Sequence, residues 1–448
     1  MPIARLVCSA IVSFLLMVSA GYPQQLTPPP LPQPAQAVWY VGLNNQQVGP
    51  MTADQVREKI KAGEVGKDTL VWASSLGSVW TAAQEVPEFA GSFGSAAALT
   101  TSSGSTQNEG DSPLAALRAK AEQGDAEAQY DLGMAFLMGR DGVTENDAEA
   151  AKWFRKAADQ NLAEAQLALG ACYASGAGIE KNEAEAVAWY RKAAEQGEIL
   201  AQRYLAGCYL AGAGVEENPV EAAKWSRKAA ESGDAGAQTL LGAAYANGEG
   251  VAKDYAEAAK WYRKAAEQGE ATAQYNLGVL VINGWGVAKN EPEAVAWFRK
   301  AADQNHAGAQ FNLAACYDNG QGVAKDELEA VKWYRKAAEQ GDVEAQWNMG
   351  LCFDRGEGVP KDEAEAARWY LKAAEQGYAA AQTILAGCYL TGKGMEQDAV
   401  EGYKWLTLAA AQGSEKAKGT LVKMDELMSE SEIAEAKQRA QTWMEQHR

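Results

Sequence analysis

Tryptophan stands at positions 153, 189, 225, 261, 297, 333, 369 and 405, each 36 residues after the last. Nothing else in the chain constrains its fold so strongly. A strict period of this length makes one array of like units, overriding the about three separate domains that 448 residues otherwise suggest. Around each tryptophan the wording is nearly constant: "NEAEAVAWYRKAAEQG" at 182–197 returns as "DELEAVKWYRKAAEQG" at 326–341.

The repeated sentence reads as one complete helix. Seven residues before each tryptophan stands Asn or Asp, from Asn146 to Asp398, and three residues after that stands a glutamate, from Glu149 to Glu401. That spacing predicts a capping box at a helix start. Pro219 follows Asn218, where a first helical residue has no hydrogen bond to lose. Eight residues beyond each tryptophan stands Asn161, Gly197, Gly233, Gly269, Asn305, Gly341, Gly377 or Gly413. These two residue types tolerate the left-handed conformation that closes a helix. Acid at the start and Arg-Lys near the end suit the helix dipole.

A second helix precedes this one in each unit, as in "AGAQFNLAACYDNG" at 307–320, with Ala, Leu and aromatic residues at helical spacing. A glycine-rich turn such as "GQGVAKD" joins the two. Its G-x-G is no phosphate loop, since no strand precedes it and no full motif follows. A 36-residue hairpin is too small to bury its own apolar face, so neighbours must stack, each large apolar side chain contributing about 1.5–3 kcal/mol. Trp297→Ala should therefore cost about 3–5 kcal/mol. The ends need caps: "PLAALRAKAEQG" at 113–124 reads as a lone leading helix. The segment after Leu421, opening with Ser429 and Glu432, reads as a polar-faced closing helix.

The formal charge of −18 argues against nucleic acid, which demands clustered positive charge. Cys172, Cys208, Cys316, Cys352 and Cys388 share one repeat position, where other repeats have Ala244 and Leu280. Equivalent helices in stacked repeats lie about 8–10 Å apart, beyond the roughly 7 Å that a disulfide tolerates between Cα atoms. Packing, rather than redox chemistry, is the expectation.

The pattern A-x-A-Q-x-x-L-G-x-x-Y-x-x-G-x-G-V followed by A-x-x-W-Y-R-K-A-A-E-Q-G resembles the Sel-one-like repeat, a relative of the tetratricopeptide repeat. Eight units cover about 126–414. The resemblance implies a mainly α protein: a right-handed α/α superhelical solenoid of about eight helical hairpins, used as an adaptor or scaffold for other proteins. Bacterial relatives include exopolysaccharide and cell-envelope regulators. A disulfide-rich branch is linked to penicillin binding, but it pairs two cysteines within each repeat, and this chain has at most one.

The preceding residues divide into distinct pieces. Residues 1–20, "MPIARLVCSAIVSFLLMVSA", have the build of a cleaved secretory signal, the alternative being an uncleaved inner-membrane anchor. The apolar run is short for a membrane span of about 20 residues. Residues 21–37 are proline-rich and extended. Residues 91–112, rich in Gly, Ser and Thr, form a tether on the order of 25 Å long. Residues 38–90 read as strand (38–43), turn at Asn44-Asn45, strand, helix (53–62) and a strand around 69–72. This small α+β module resembles the bacterial branch of the GYF domain through Trp39-Tyr40, Gly49-Pro50, "TLVW" at 69–72 and Trp80. The resemblance implies proline-rich peptide binding on an aromatic surface. The sequence departs from the better-known branch at Lys59 and at Gly63-Glu64-Val65. A small core is the competing reading of Trp39, Trp72 and Trp80.

Catalysis is poorly supplied. His306 and His447 are the chain's two histidines, and neither joins a serine, cysteine or metal-ligand spacing. No catalytic residue, cofactor or metal site is expected. In related solenoids the first helices line a concave groove, and the residue before the Leu-Gly or Leu-Ala pair faces it. Three consecutive repeats place amides there: Asn276/Asn283, Asn312/Asn319 and Asn348/Arg355, seven residues apart on one helix face. Amides bond an extended peptide's backbone through both donor and acceptor. Abundance of Asn in such repeats is the equal and opposite reading. Trp285 occupies a turn position where other repeats have Ala, Glu, Gln or Lys, which marks either a contact or a loop-to-loop packing residue. The expected function is a non-enzymatic interaction scaffold, exported to the periplasm or beyond, with unidentified protein or peptide partners. The competitors are an envelope enzyme and a regulatory inhibitor of peptidoglycan or exopolysaccharide machinery.

Overall fold

The computed structural model describes residues 39–43, 46–51, 53–61, 70–73, 81–82, 113–140 and 143–447. The expected signal (1–20), proline-rich segment (21–37), Asn44-Asn45 turn, Trp80 and tether (91–112) lie outside the described residues, as do the side-chain surroundings of Trp39 and Trp72. The described residues fall into two compact units, one within Ser19–Asp111 and one within Ser112–Arg448.

The first unit is a four-stranded antiparallel sheet with one helix. Strands β1 (Trp39–Leu43), β2 (Gln46–Met51), β3 (Leu70–Ala73) and β4 (Thr81–Ala82) lie in the order β2-β1-β3-β4. Val41 pairs with Val48, Tyr40 with Trp72, and the β1–β2 register shifts between Trp39 and Val41. Helix α1 (Ala53–Lys61) buries Val56 and Ile60, one turn apart. Strand β4 was not foreseen, because two residues carry no periodicity.

The second unit is a repeat array. A leading helix, α2 (Pro113–Glu122), is followed by eight hairpins. The first three are α3 (Ala126–Met138) with α4 (Asp147–Asp159), α5 (Ala163–Ser175) with α6 (Glu183–Glu195), and α7 (Ile199–Ala211) with α8 (Pro219–Glu231). Next come α9 (Ala235–Asn247) with α10 (Tyr255–Glu267), α11 (Ala271–Asn283) with α12 (Glu291–Asp303), and α13 (Ala307–Asn319) with α14 (Glu327–Glu339). The last two are α15 (Val343–Arg355) with α16 (Glu363–Glu375), and α17 (Ala379–Thr391) with α18 (Ala399–Ala411). Helices α19 (Glu415–Leu427) and α20 (Glu430–Gln446) close the array.

The helix ends fall where the sequence placed them. Each second helix is capped by its Asn or Asp, as where Asn182 Oδ1 accepts from Glu185 N–H at 3.1 Å. Asn161 (φ 70°) and Asn305 (φ 67°) are the non-glycine residues with positive φ among the described residues, each closing a second helix. The capping box needs correction. Its reciprocal half is present only at Ser429 and Glu432, among the described residues. In five repeats the glutamate turns instead toward a lysine three residues on, as with Glu329 and Lys332 at 2.9 Å, and in the seventh Glu365 meets Arg368 at 2.8 Å. A solvated pair on one helix face competes successfully for that carboxylate.

Indole rings wedge between hairpins as expected. Trp189, Trp225, Trp261, Trp297, Trp333, Trp369 and Trp405 are at most 9% exposed, whereas Trp153, packed against the small cluster of Ala121, Ala128 and Leu132, is half-buried. A lysine one turn on covers each inner ring from Trp189 to Trp369, as Lys336 does at 3.8 Å from the Trp333 centroid. The G-x-G turn is a packing device: Gly286 (φ 68°) rests on the backbone of Tyr255 in the preceding hairpin and leaves no room for a Cβ.

Candidate functional site

The first helices of the fifth, sixth and seventh hairpins (α11, α13 and α15) carry the amide strip. Asn276, Asn312 and Asn348 occupy the sixth position of their helices and are half-buried; Asn283, Asn319 and Arg355 occupy the last position and are exposed. The shared positions follow from equal helix lengths and closing glycines, Gly284, Gly320 and Gly356, one period apart. Asn348 donates to the Glu344 carbonyl at 2.9 Å, Asn283 to Val279 at 2.8 Å and Asn319 to Ala315 at 2.9 Å. Each bond ties the amide to its own helix and leaves the side-chain carbonyl as an acceptor. Asn312 instead reaches the Tyr275 hydroxyl on the preceding hairpin. Arg355 lies 3.5 Å from Glu357.

Trp285 is not gathered into this strip by any ring contact. It is 45% exposed and stacks on Tyr255 of the preceding hairpin, with centroids 5.4 Å apart and planes 25° apart.

Sequence reasoning passed over a second row. The residue just before each strip amide is aromatic: Tyr275, Phe311 and Trp347, all half-buried. Each leans on a ring of its own second helix: Phe298 at 6.2 Å, Tyr334 at 5.8 Å and Tyr370 at 5.1 Å. Tyr275 also stacks on His306 at 4.7 Å, and Trp347 meets Tyr378 at 5.8 Å. The signal was present in the sequence, since the other repeats have Tyr130, Leu167, Arg203, Thr239 and Thr383 at that register.

Ionisable groups here serve structure. His306 caps α13, its Nδ1 accepting from Ala309 N–H at 3.2 Å, and burial lowers its pKa. His447 follows the closing helix as its C-cap, stacked on Trp443 at 4.1 Å. Burial raises the carboxyl of Asp318, which hydrogen-bonds Tyr334, and that of Asp342, which caps α15 through Ala345 N–H at 2.8 Å. The five repeat cysteines are free. Burial pushes Cys172, Cys208 and Cys352 up to about 12 and Cys316 to about 11, so all four remain neutral thiols, poor nucleophiles and poor metal ligands. Among the described residues, no group of three or more His, Cys, Asp or Glu side chains is placed to hold a metal ion, and no helix is long and apolar enough to cross a membrane. Two open hollows lie on the first and second hairpins, around Trp153 and around Arg155 and Tyr173, away from the amide strip.

A chain built of eight like hairpins, each stacked on the next, is a helical-repeat solenoid. Eight successive segments, 126–162, 163–198, 199–234, 235–270, 271–306, 307–342, 343–378 and 379–414, match the Sel1 repeat. The chain belongs to the Sel1 repeat family, whose solenoids generally serve as protein-interaction scaffolds. Residues 39–89 match GYF domain 2. The chain is similar to a Sel1 repeat protein from Oxalobacter formigenes, with 30% identity over 73% of this chain and 98% of that one, at a TM-score of 0.55. It is also similar to c5321, described as a protective antigen present in uropathogenic Escherichia coli strains and displaying an SLR fold. There the identity is 29% over 75% of this chain and 95% of that one, at a TM-score of 0.48. A comparison with curated proteins returned no match.

Proposed function

We propose that this chain is a non-enzymatic protein-interaction scaffold of the bacterial cell envelope, holding extended peptide or protein segments against the first helices of its solenoid. In this reading the hairpins wind as a right-handed superhelix, and Asn276, Asn283, Asn312, Asn319, Asn348 and Arg355 line the concave side. The carrying observation is the recurrence of a half-buried amide at one register in three consecutive repeats, each beside a half-buried aromatic ring. A helical-repeat step matched by an amide step suits a ligand with a repeating backbone, whose donors and acceptors need no particular side chains. Trp285 and Tyr255 form a second contact at the loop edge.

The same reading divides the chain into an export signal (1–20), a proline-rich segment (21–37), a small α+β GYF-like domain (38–90), a tether (91–112), a leading cap (113–125), eight repeats (126–414) and closing helices (415–448). The composition of residues 1–20 supports export to the periplasm or beyond. A tethered second module raises avidity through effective concentration.

Crosslinking in the native cell, comparing wild type with the Asn276→Ala/Asn312→Ala/Asn348→Ala variant, tests the groove. The variant should lose its partners while its circular dichroism stays unchanged. Full partner recovery by a folded triple variant removes the amide strip from the binding site. One dominant partner would point to a masking regulator; several would point to a scaffold.

A further inference from the structure

Two devices recur along the array, and both fail in the third repeat. The first is a ring on the second helix that lies against the first helix of the same hairpin. Phe154, Tyr190, Tyr262 and Phe298 each press so close to Gly133, Gly170, Gly242 and Gly278 that a Cβ would lie 2.6–2.7 Å from the ring. In the third repeat that register holds Ser226, itself 2% exposed, and the glycine register holds Ala206.

The second device is a ladder of buried glutamines. Each first helix carries one whose amide donates to the carbonyl at the end of the preceding second helix, as Gln274 does to Ala266 at 3.0 Å. Its own carbonyl accepts from a glutamine closing the second helix of its hairpin, as from Gln304 at 2.9 Å. The ladder runs through Gln129, Gln166, Gln238, Gln274, Gln310, Gln346 and Gln382. In the third repeat the partner position is Ser232, whose hydroxyl turns back to the Lys228 carbonyl at 3.1 Å. Gln202 still donates to Ala194 at 3.2 Å, but its Oε1 is buried without a partner.

The apolar core thins at the same place. From Ala258 to Trp369 one buried cluster runs unbroken across repeats, carried by Tyr262, Phe298 and Tyr334. Beyond Ser226 the buried residues form an island of Ala229, Ala230, Ala237, Leu241 and Trp261. One local staple spans the junction: Arg203, in a space left by Gly236, grips Asp234 through both carboxylate oxygens at 3.2 and 3.1 Å.

We infer that the third repeat is a built-in joint, at which α7 and α8 part before the rest of the array unfolds. In a stack where each hairpin is held only by itself and its neighbours, the weakest hairpin sets where opening starts. The joint separates the repeats bearing the amide strip from the two N-terminal hairpins, so their relative curvature can adjust without melting either block. This inference stands independently of the groove reading.

The chain carries its own reporters, one cysteine at the same register in the second, third, sixth, seventh and eighth repeats. The experiment is iodoacetamide labelling of the full chain in increasing urea, read thiol by thiol by peptide mass spectrometry. Cys208, half-buried where the other four are buried, should label with a rate that climbs with urea below the global transition, while Cys316, Cys352 and Cys388 respond only within it. Ser232→Gln, at an exposed position, should rebuild the ladder and slow Cys208 about five-fold, the worth of one net hydrogen bond, leaving Cys352 unchanged. Ala206→Gly/Ser226→Tyr should slow it further; if that pair does not fold, Ser232→Gln alone decides. A Cys208 rate that rises only with the global transition, or that Ser232→Gln leaves untouched, overturns the joint.

Discussion

Gln340 donates its side-chain amide to the carbonyl oxygen of Gln310 across 2.7 Å, and Gln310 passes its own amide to the Ala302 carbonyl at 3.2 Å. The pair joins both helices of one hairpin to the end of the hairpin before it, in a site where Gln310 is 1% exposed. A buried amide so placed orients the stack as well as holding it, because any slip in register leaves polar atoms unpaired.

Gln310→Leu keeps the volume and removes the bonds to the Ala302 carbonyl, the Asn305 side chain and the Gln340 amide. Urea denaturation followed by tryptophan fluorescence should show a loss of about 2–3 kcal/mol. Gln202→Leu removes a side chain that already lacks one partner, and should cost about 1 kcal/mol. Equal losses at the two positions would mean that the Gln–Gln bond contributes nothing.

A Cβ on Gly278 would meet Phe298 Cε1 at 2.6 Å. Gly278→Ala should therefore destabilise by about 1–3 kcal/mol through overpacking. The array holds alanine at this register in two ways, with Leu406 opposite Ala386 in the eighth repeat and with a buried Tyr334 opposite Ala314 in the sixth. In a double-mutant cycle, Phe298→Leu should recover part of the loss from Gly278→Ala, with a coupling of about 0.5–2 kcal/mol. Strict additivity would place the ring elsewhere in solution.

His306 bonds as a neutral base: its Nδ1 accepts from Ala309 N–H, and burial holds its pKa below the usual value. The unfolded chain then binds the proton more readily than the folded one. The stabilisation is present above pH about 6.5 and is lost as pH falls through the folded pKa. Thermal melts at pH 8 and pH 5 should show a larger acid loss for wild type than for His306→Asn. The variant keeps a capping acceptor and should stay within about 1 kcal/mol at pH 8. Identical acid losses would show that the imidazole binds its proton equally well in the folded and unfolded chain.

The sequence by itself determined the period, the helices and their ends. Caps such as Asn182, stops such as Asn305 and the apolar spacing between them act over three to eight residues, and local backbone chemistry reads them directly. It also marked Trp189 to Trp405 as buried and the five cysteines as packing residues, because one position repeated at one interval has one environment. Tertiary structure alone decided which polar groups find each other. That Gln310 meets Gln340, Arg203 meets Asp234, Trp285 lies on Tyr255, and the Gln202 Oε1 meets nothing depends on distances between helices that linear spacing does not contain. Five of the repeat glutamates chose lysine over the backbone for the same reason. Hydrogen bonds and ring contacts are settled within about an ångström, and only the folded stack fixes positions that finely.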